Sequence, residues 1–188
     1  MPNPYTSPLL VDVADGAQIL NTVTETIVAP DFTFAAGDSR LYQSAAFNIR
    51  CKFDVSNVVT TPGTLTLRIR WGGVAGTVLA TTGAIALSIV ARSNYSGTLD
   101  ADLVWRSIGS AGSAFCMGLV TLNDVPVAAD SLPQSLYTMT SAGANSPAVV
   151  SSLDTTTSKA LSVTAQFSVA TATTQLTNHI RILKAISS

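Results

Sequence analysis

Charge is what this 188-residue chain has least of: Asp, Glu, Lys and Arg together make up 11% of it, against about 25% in an average soluble domain. The balance is close to neutral, a net −1 from eleven acids and ten bases. Those bases are dispersed, which excludes the clustered cationic footprint that nucleic-acid binding requires. Glutamate is nearly missing too, with Glu25 alone. Together with β-branched residues crowded into the periodic segments, that argues against helices. His179 is the only histidine, and Cys51 and Cys116 are the only cysteines. Two thiols so far apart fit no metal or redox motif, and no serine sits in a Gly-x-Ser-x-Gly elbow. No run of about 18 apolar residues is present, so no membrane-spanning helix is expected. The first eight residues lack the basic and apolar regions of a secretory signal, which predicts synthesis in a cytoplasm and, with it, reduced cysteines.

What fills the deficit is alanine, serine and threonine, over a 47% hydrophobic content. A domain of this size buries roughly 70% of its unfolded-chain surface and supports a core of its own. A surface of Ser, Thr and Ala carries few charges to desolvate when another protein covers it. The composition therefore points to a subunit of an assembly.

Strict alternation is the strongest signal in the chain. Phe47, Ile49, Cys51, Phe53 and Val55 alternate with Asn48, Arg50, Lys52 and Asp54, and Leu65, Leu67, Ile69 and Trp71 with Thr64, Thr66, Arg68 and Arg70. Successive strand side chains point to opposite faces, so each run is a ribbon with one apolar and one polar, cationic side. The Thr61-Pro62-Gly63 turn between them predicts an antiparallel pair. The pattern returns as Leu99, Ala101, Leu103 and Trp105 against Asp100, Asp102, Val104 and Arg106. It returns again as Leu161, Val163, Ala165, Phe167 and Val169 against Ser162, Thr164, Gln166 and Ser168. Phe115, Met117 and Leu119 share one side of a further strand, and residues 177–185 close the series. Eight or nine strands separated by turn residues predict an all-β fold: a single antiparallel β-sandwich, jelly-roll-like, over residues 19–188. Ahead of it, residues 1–18 read as an extended N-terminal arm, because Pro2, Pro4 and Pro8 lack amide donors and bias their neighbours toward extended backbone. Residues 123–158, with Pro126, Pro133 and Pro147, are the least regular part and suit a crossing between sheets that carries specific contacts.

The chemistry that remains is sparse. Asp100 and Asp102 share a strand face at a spacing that two glycosidase carboxyls would tolerate. Arg50, Lys52, Arg68, Arg70 and Arg106 on the polar faces of neighbouring strands make cross-strand charge pairing the simpler account. Asn123, Asp124 and Asp130 are too few for a calcium loop. The glycines of Gly72-Gly73-Val74-Ala75-Gly76 are hairpin turns, since no lysine or helix start follows to cradle a phosphate. No catalytic, metal or cofactor site is assigned and none is expected. The residues assigned to assembly are Pro2, Pro4, Tyr5 and Pro8 on the arm, with Arg50, Arg68, Arg70, Asp100 and Asp102 on the charged faces.

Several segments in order carry a family likeness. They are Ala35-Ala36-Gly37-Asp38-Ser39-Arg40-Leu41, then Thr61-Pro62-Gly63 leading into the 64–73 ribbon, then Val78-Leu79-Ala80-Thr81-Thr82-Gly83-Ala84-Ile85. Val104-Trp105-Arg106-Ser107-Ile108-Gly109 follows, and Asp154-Thr155-Thr156 precedes Leu161-Ser162-Val163-Thr164-Ala165-Gln166-Phe167. Over residues 19–185 this order resembles a broad group of tailed-bacteriophage virion proteins with a jelly-roll-like β-sandwich. The resemblance implies a non-enzymatic structural role on the outer surface of the virion. It implies a capsid cement or decoration protein, commonly a homotrimer, whose partner is the major capsid protein, with no nucleic-acid or membrane partner. The alternative it leaves open is a tail or fibre component that recognises host surface glycan through residues 123–158. It implies no catalytic residues.

Overall fold

The computed structural model describes residues 8–12, 14–58, 61–123, 135–141 and 147–186. Among them the strands are β1 (Pro8–Asp12), β2 (Ile19–Leu20), β3 (Thr26–Ile27), β4 (Phe32–Phe34), β5 (Ala46–Asn57), β6 (Thr64–Trp71), β7 (Thr77–Thr81), β8 (Ile85–Ala86), β9 (Arg92–Ser107), β10 (Gly112–Leu122), β11 (Ser135–Met139), β12 (Val150–Leu153), β13 (Lys159–Phe167) and β14 (Gln175–Ala185). The first sheet runs β1-β14-β5-β9-β10-β11, with β2 beside β14 and β12 beside β10. The second runs β3-β13-β6-β7, with β4 beside β13 and β8 beside β6. Every pairing is antiparallel. The molecule is an all-β sandwich.

The alternating ribbons build it as their periodicity requires. Phe47, Ile49, Cys51, Phe53 and Val55 on β5 are buried and face inward, as are Leu99, Ala101, Leu103 and Trp105 on β9. Leu65, Leu67, Ile69 and Trp71 on β6 and Leu161, Val163, Ala165 and Phe167 on β13 supply the opposing layer. Trp71 and Trp105 meet edge to face across the layers at 4.9 Å between centroids, and Phe34 packs against both Phe47 and Trp71.

One expectation is overturned. The ribbons of β5 and β6 do not pair with each other. β5 lies between β14 and β9 in the first sheet, and β6 between β13 and β7 in the second. The Thr61-Pro62-Gly63 segment passes from one sheet to the other. The physical reason is burial: two ribbons with equally apolar faces cover each other completely when stacked face to face, whereas a hairpin would leave both faces needing a third layer. The resulting pairs, β5 with β14 and β6 with β13, are nested in sequence. The β9–β10 hairpin is added on the free side of β5.

Residues 19–28 form two short strands, β2 and β3, that dock on different sheets. Tyr95 on β9 is buried, and Tyr137 on β11 packs against the core.

Two buried groups matter for cohesion. Arg181 on β14 points into the core with no exposed surface. Its guanidinium donates to the Leu161 carbonyl of β13 at 2.8 Å and to the Pro30 carbonyl, tying the two sheets together. Burial pulls its pKa below the ordinary arginine value. Cys51 and Cys116 are free and buried, and burial pushes both thiols up to about 12, which leaves them unreactive at neutral pH.

Candidate functional site

The two outward faces of the sandwich differ in how far they satisfy themselves. On the second sheet, Arg70 donates to both carboxylate oxygens of Glu25, at 2.6 and 2.8 Å, and Arg68 to one of them at 3.0 Å. Thr164 also donates to Glu25, and Arg68 to Gln166 at 3.0 Å. Burial disfavours the charged Glu25 carboxylate, but the hydrogen bonds from Arg70 and Thr164 and the charges of Arg68 and Arg70 outweigh it and hold the carboxyl below its usual range. The sole glutamate thus sits between the two cations, and Ser162 and Thr164 beside them are buried. This face is closed by its own side chains.

The outward face of the first sheet is open. Strand register sets Val11, Ile182, Arg50, Asp100, Leu119 and Thr138 in one row across β1, β14, β5, β9, β10 and β11. The adjacent row holds Lys184, Asn48, Asp102 and Met117. Arg50 donates to Asp100 at 2.6 and 3.0 Å, a half-exposed cross-strand pair of the kind worth little in stability. The Asn48 amide donates to Asp100 at 2.7 Å and to Asp102 at 3.0 Å, holding the two carboxylates side by side. Beside them Met117 and Leu119 are 48% and 45% exposed, and Leu136 on β11 is 63% exposed. Asp100, Asp102, Met117, Gly118, Leu119 and Thr138 line a groove of about 440 Å³.

β10 explains why large apolar side chains stand on the outside. It is apolar on both faces: the smaller Ala114, Cys116 and Val120 turn into the core, which leaves Phe115, Met117 and Leu119 for the outward side. The period-2 pattern separates the two sets but does not say which is inward. Arg106 lies over the Phe115 ring at 5.7 Å, covering part of this surface.

The structure therefore divides the residues assigned to assembly. It brings Arg50, Asp100 and Asp102 together, and it separates them from Arg68 and Arg70, which lie on the other sheet. Pro8 opens β1, whose residues pair with β14 of the same chain, so this part of the extended segment is an edge strand of the first sheet. Pro2, Pro4 and Tyr5 lie outside the described residues, as do residues 124–134 and 142–146 of the irregular stretch. Asn48, Met117 and Leu119 were missed as members of the surface. The signal available for them was the alternation itself, read together with the register that places them beside Asp100 and Asp102.

No protein-family model, curated protein or solved structure matches this chain.

A second charged group lies farther along the same sheet. His179 Nδ1 is 2.7 Å from Asp15 and its Nε2 is 3.2 Å from Asp54. Hydrogen bonds donated to both carboxylates raise its pKa above the ordinary value. With a carboxylate on each ring nitrogen the imidazolium is the favoured form. Asp15 belongs to the segment between β1 and β2, and Gly16 beside it donates to the Asn178 carbonyl at 2.7 Å. The histidine fastens that segment to the sheet; neither ring nitrogen is left to take a proton from a nucleophile.

Proposed function

We propose that this chain is a non-enzymatic virion structural protein, a capsid cement or decoration protein that binds and stabilises an assembled phage head. One observation carries the reading: the outward face of the first sheet is broad and holds Met117, Leu119 and Leu136 in the open. A partner covering the exposed Met117, Leu119 and Leu136 gains apolar burial. The order of turn and strand segments, similar to that of tailed-phage sandwich proteins, supplies the setting. On this reading the protein is a homo-oligomer, with a trimer favoured, on the outer surface of the capsid, and its partner is the major capsid protein. The mechanism is additive: many copies each bury an interface of about 1,600 Å², opposing the pressure inside the shell.

The test is cosedimentation of the purified protein with undecorated, expanded heads of the phage that encodes it. The wild type is expected to saturate the shell. Leu136→Glu, at a position too exposed to disturb folding, is expected to bind at least tenfold more weakly. Absence of shell binding, with retention on host cells, overturns the capsid reading in favour of a tail or fibre adhesin.

A further inference from the structure

We propose that the groove over β9, β10 and β11 is a receptor for a lysine or arginine side chain of a second protein chain. The proposal rests on the assembly reading above and names what its surface grips.

Charge along the groove is unbalanced. Asp100 is neutralised by Arg50. Asp102 has no such partner: among the described residues its one hydrogen bond comes from the neutral Asn48 amide, at 3.0 Å, and its second oxygen is unclaimed. Asn48 spans both carboxylates, so Asp102 is held in place without being discharged. A fixed anion with spare acceptor capacity at the mouth of a groove favours a cation that brings hydrogen-bond donors.

The remaining walls define the rest of the occupant. Met117 stands directly across from Asp102, and Leu119 across from Asp100. Cross-strand neighbours of this kind lie about 5 Å apart at Cβ, within the reach of one side chain that is aliphatic along its stem and charged at its tip. Lysine and arginine are built that way: the methylenes lie on apolar surface while the head keeps a polar environment. Neither a simple cation nor a purely apolar group uses both halves of the groove. A glycan hydroxyl would leave the Asp102 charge without a counter-charge. The groove volume of about 440 Å³ falls within the roughly 300–1,000 Å³ of sites that bury small groups.

Two arms test this. In the first, the isolated protein with 13C-labelled methionine methyls is titrated with Nα-acetyl-lysine N-methylamide and with the norleucine analogue, which has the same stem and no ammonium. The lysine probe is expected to shift the Met117 methyl signal at concentrations at least tenfold lower than norleucine, and Asp102→Asn is expected to remove that preference. Equal response to the two probes, or a preference that survives Asp102→Asn, overturns the proposal. In the second arm, wild type and Asp102→Asn are compared for binding to undecorated heads, with an expected loss of fivefold or more. Equal binding by the two overturns the proposal and leaves the assembly reading standing. A lysine preference in the first arm with no shell binding by either protein upholds the groove and removes the capsid as its partner.

Discussion

At the scale of single residues, the clearest consequence concerns His179. Its two ring nitrogens face Asp15 and Asp54; Asp15 comes from the segment after β1 and Asp54 from β5. A histidine whose pKa is raised on folding contributes stability that is fully present below its unfolded value of about 6.5 and is lost as pH rises through the higher folded value. His179→Gln is therefore expected to lower the melting temperature at pH 5.5 and to have no effect at pH 9. Thermal melts across that range check it, and a pH-independent difference would count against the clasp. Asp154 behaves in the opposite sense. It accepts from the Thr156 amide and from the hydroxyls of Thr156 and Thr157, which holds its carboxyl down to about 2. Neither environment was legible in the sequence. Asp15 and His179 are 164 positions apart, and Asp154 stood out only as part of a segment ahead of the 161–167 ribbon.

At the scale of elements, strand identity was legible and strand partnership was not. β5, β6, β9 and β13 follow directly from alternation, because side-chain direction in a strand is a local property. Which strand lies beside which is not local, and the β5–β6 hairpin inferred from the Pro-Gly turn gave way to stacking in two sheets. Glycines show the same dependence on partners. Gly97 on β9 stands opposite Phe53 of β5, and a methyl group at 97 would lie 2.2 Å from the Phe53 ring. The ring covers the glycine, so Gly97→Ala must displace it, at a cost of about 1–3 kcal/mol. Urea unfolding of Gly97→Ala, Phe53→Leu and the double variant checks the contact. The alanine is expected to cost less when leucine replaces the ring, and strict additivity would refute the packing account.

At the scale of the whole molecule, Arg181 is the group on which the union of the sheets most visibly depends. It is the one fully buried cation among the described residues, and its acceptors are backbone carbonyls, which cannot retreat to water when the side chain is removed. Arg181→Ala is expected to cost roughly 2–5 kcal/mol, from a cavity and from carbonyls left without donors. Arg181→Lys is expected to recover little, because an ammonium lacks the planar fork that reaches the Leu161 and Pro30 carbonyls together. Denaturant unfolding of both variants measures this, and a fully stable Arg181→Lys would show that the fork is dispensable.

The low charge and the period-2 alternation by themselves determined that this protein is all-β and that its core is built from the inward residues of a few long ribbons. Those are properties of composition and of local side-chain direction, and they survive any arrangement of the strands. Only the tertiary structure decided which polar faces are closed and which are open. Arg68 and Arg70 look like Arg50 in sequence, yet Glu25 closes over the first two from a distant turn, while Arg50 joins Asp100 on a face that leaves Asp102 uncompensated. Charge compensation depends on distance in space, and distance between strands is set by register and sheet membership, which no stretch of this chain encodes alone.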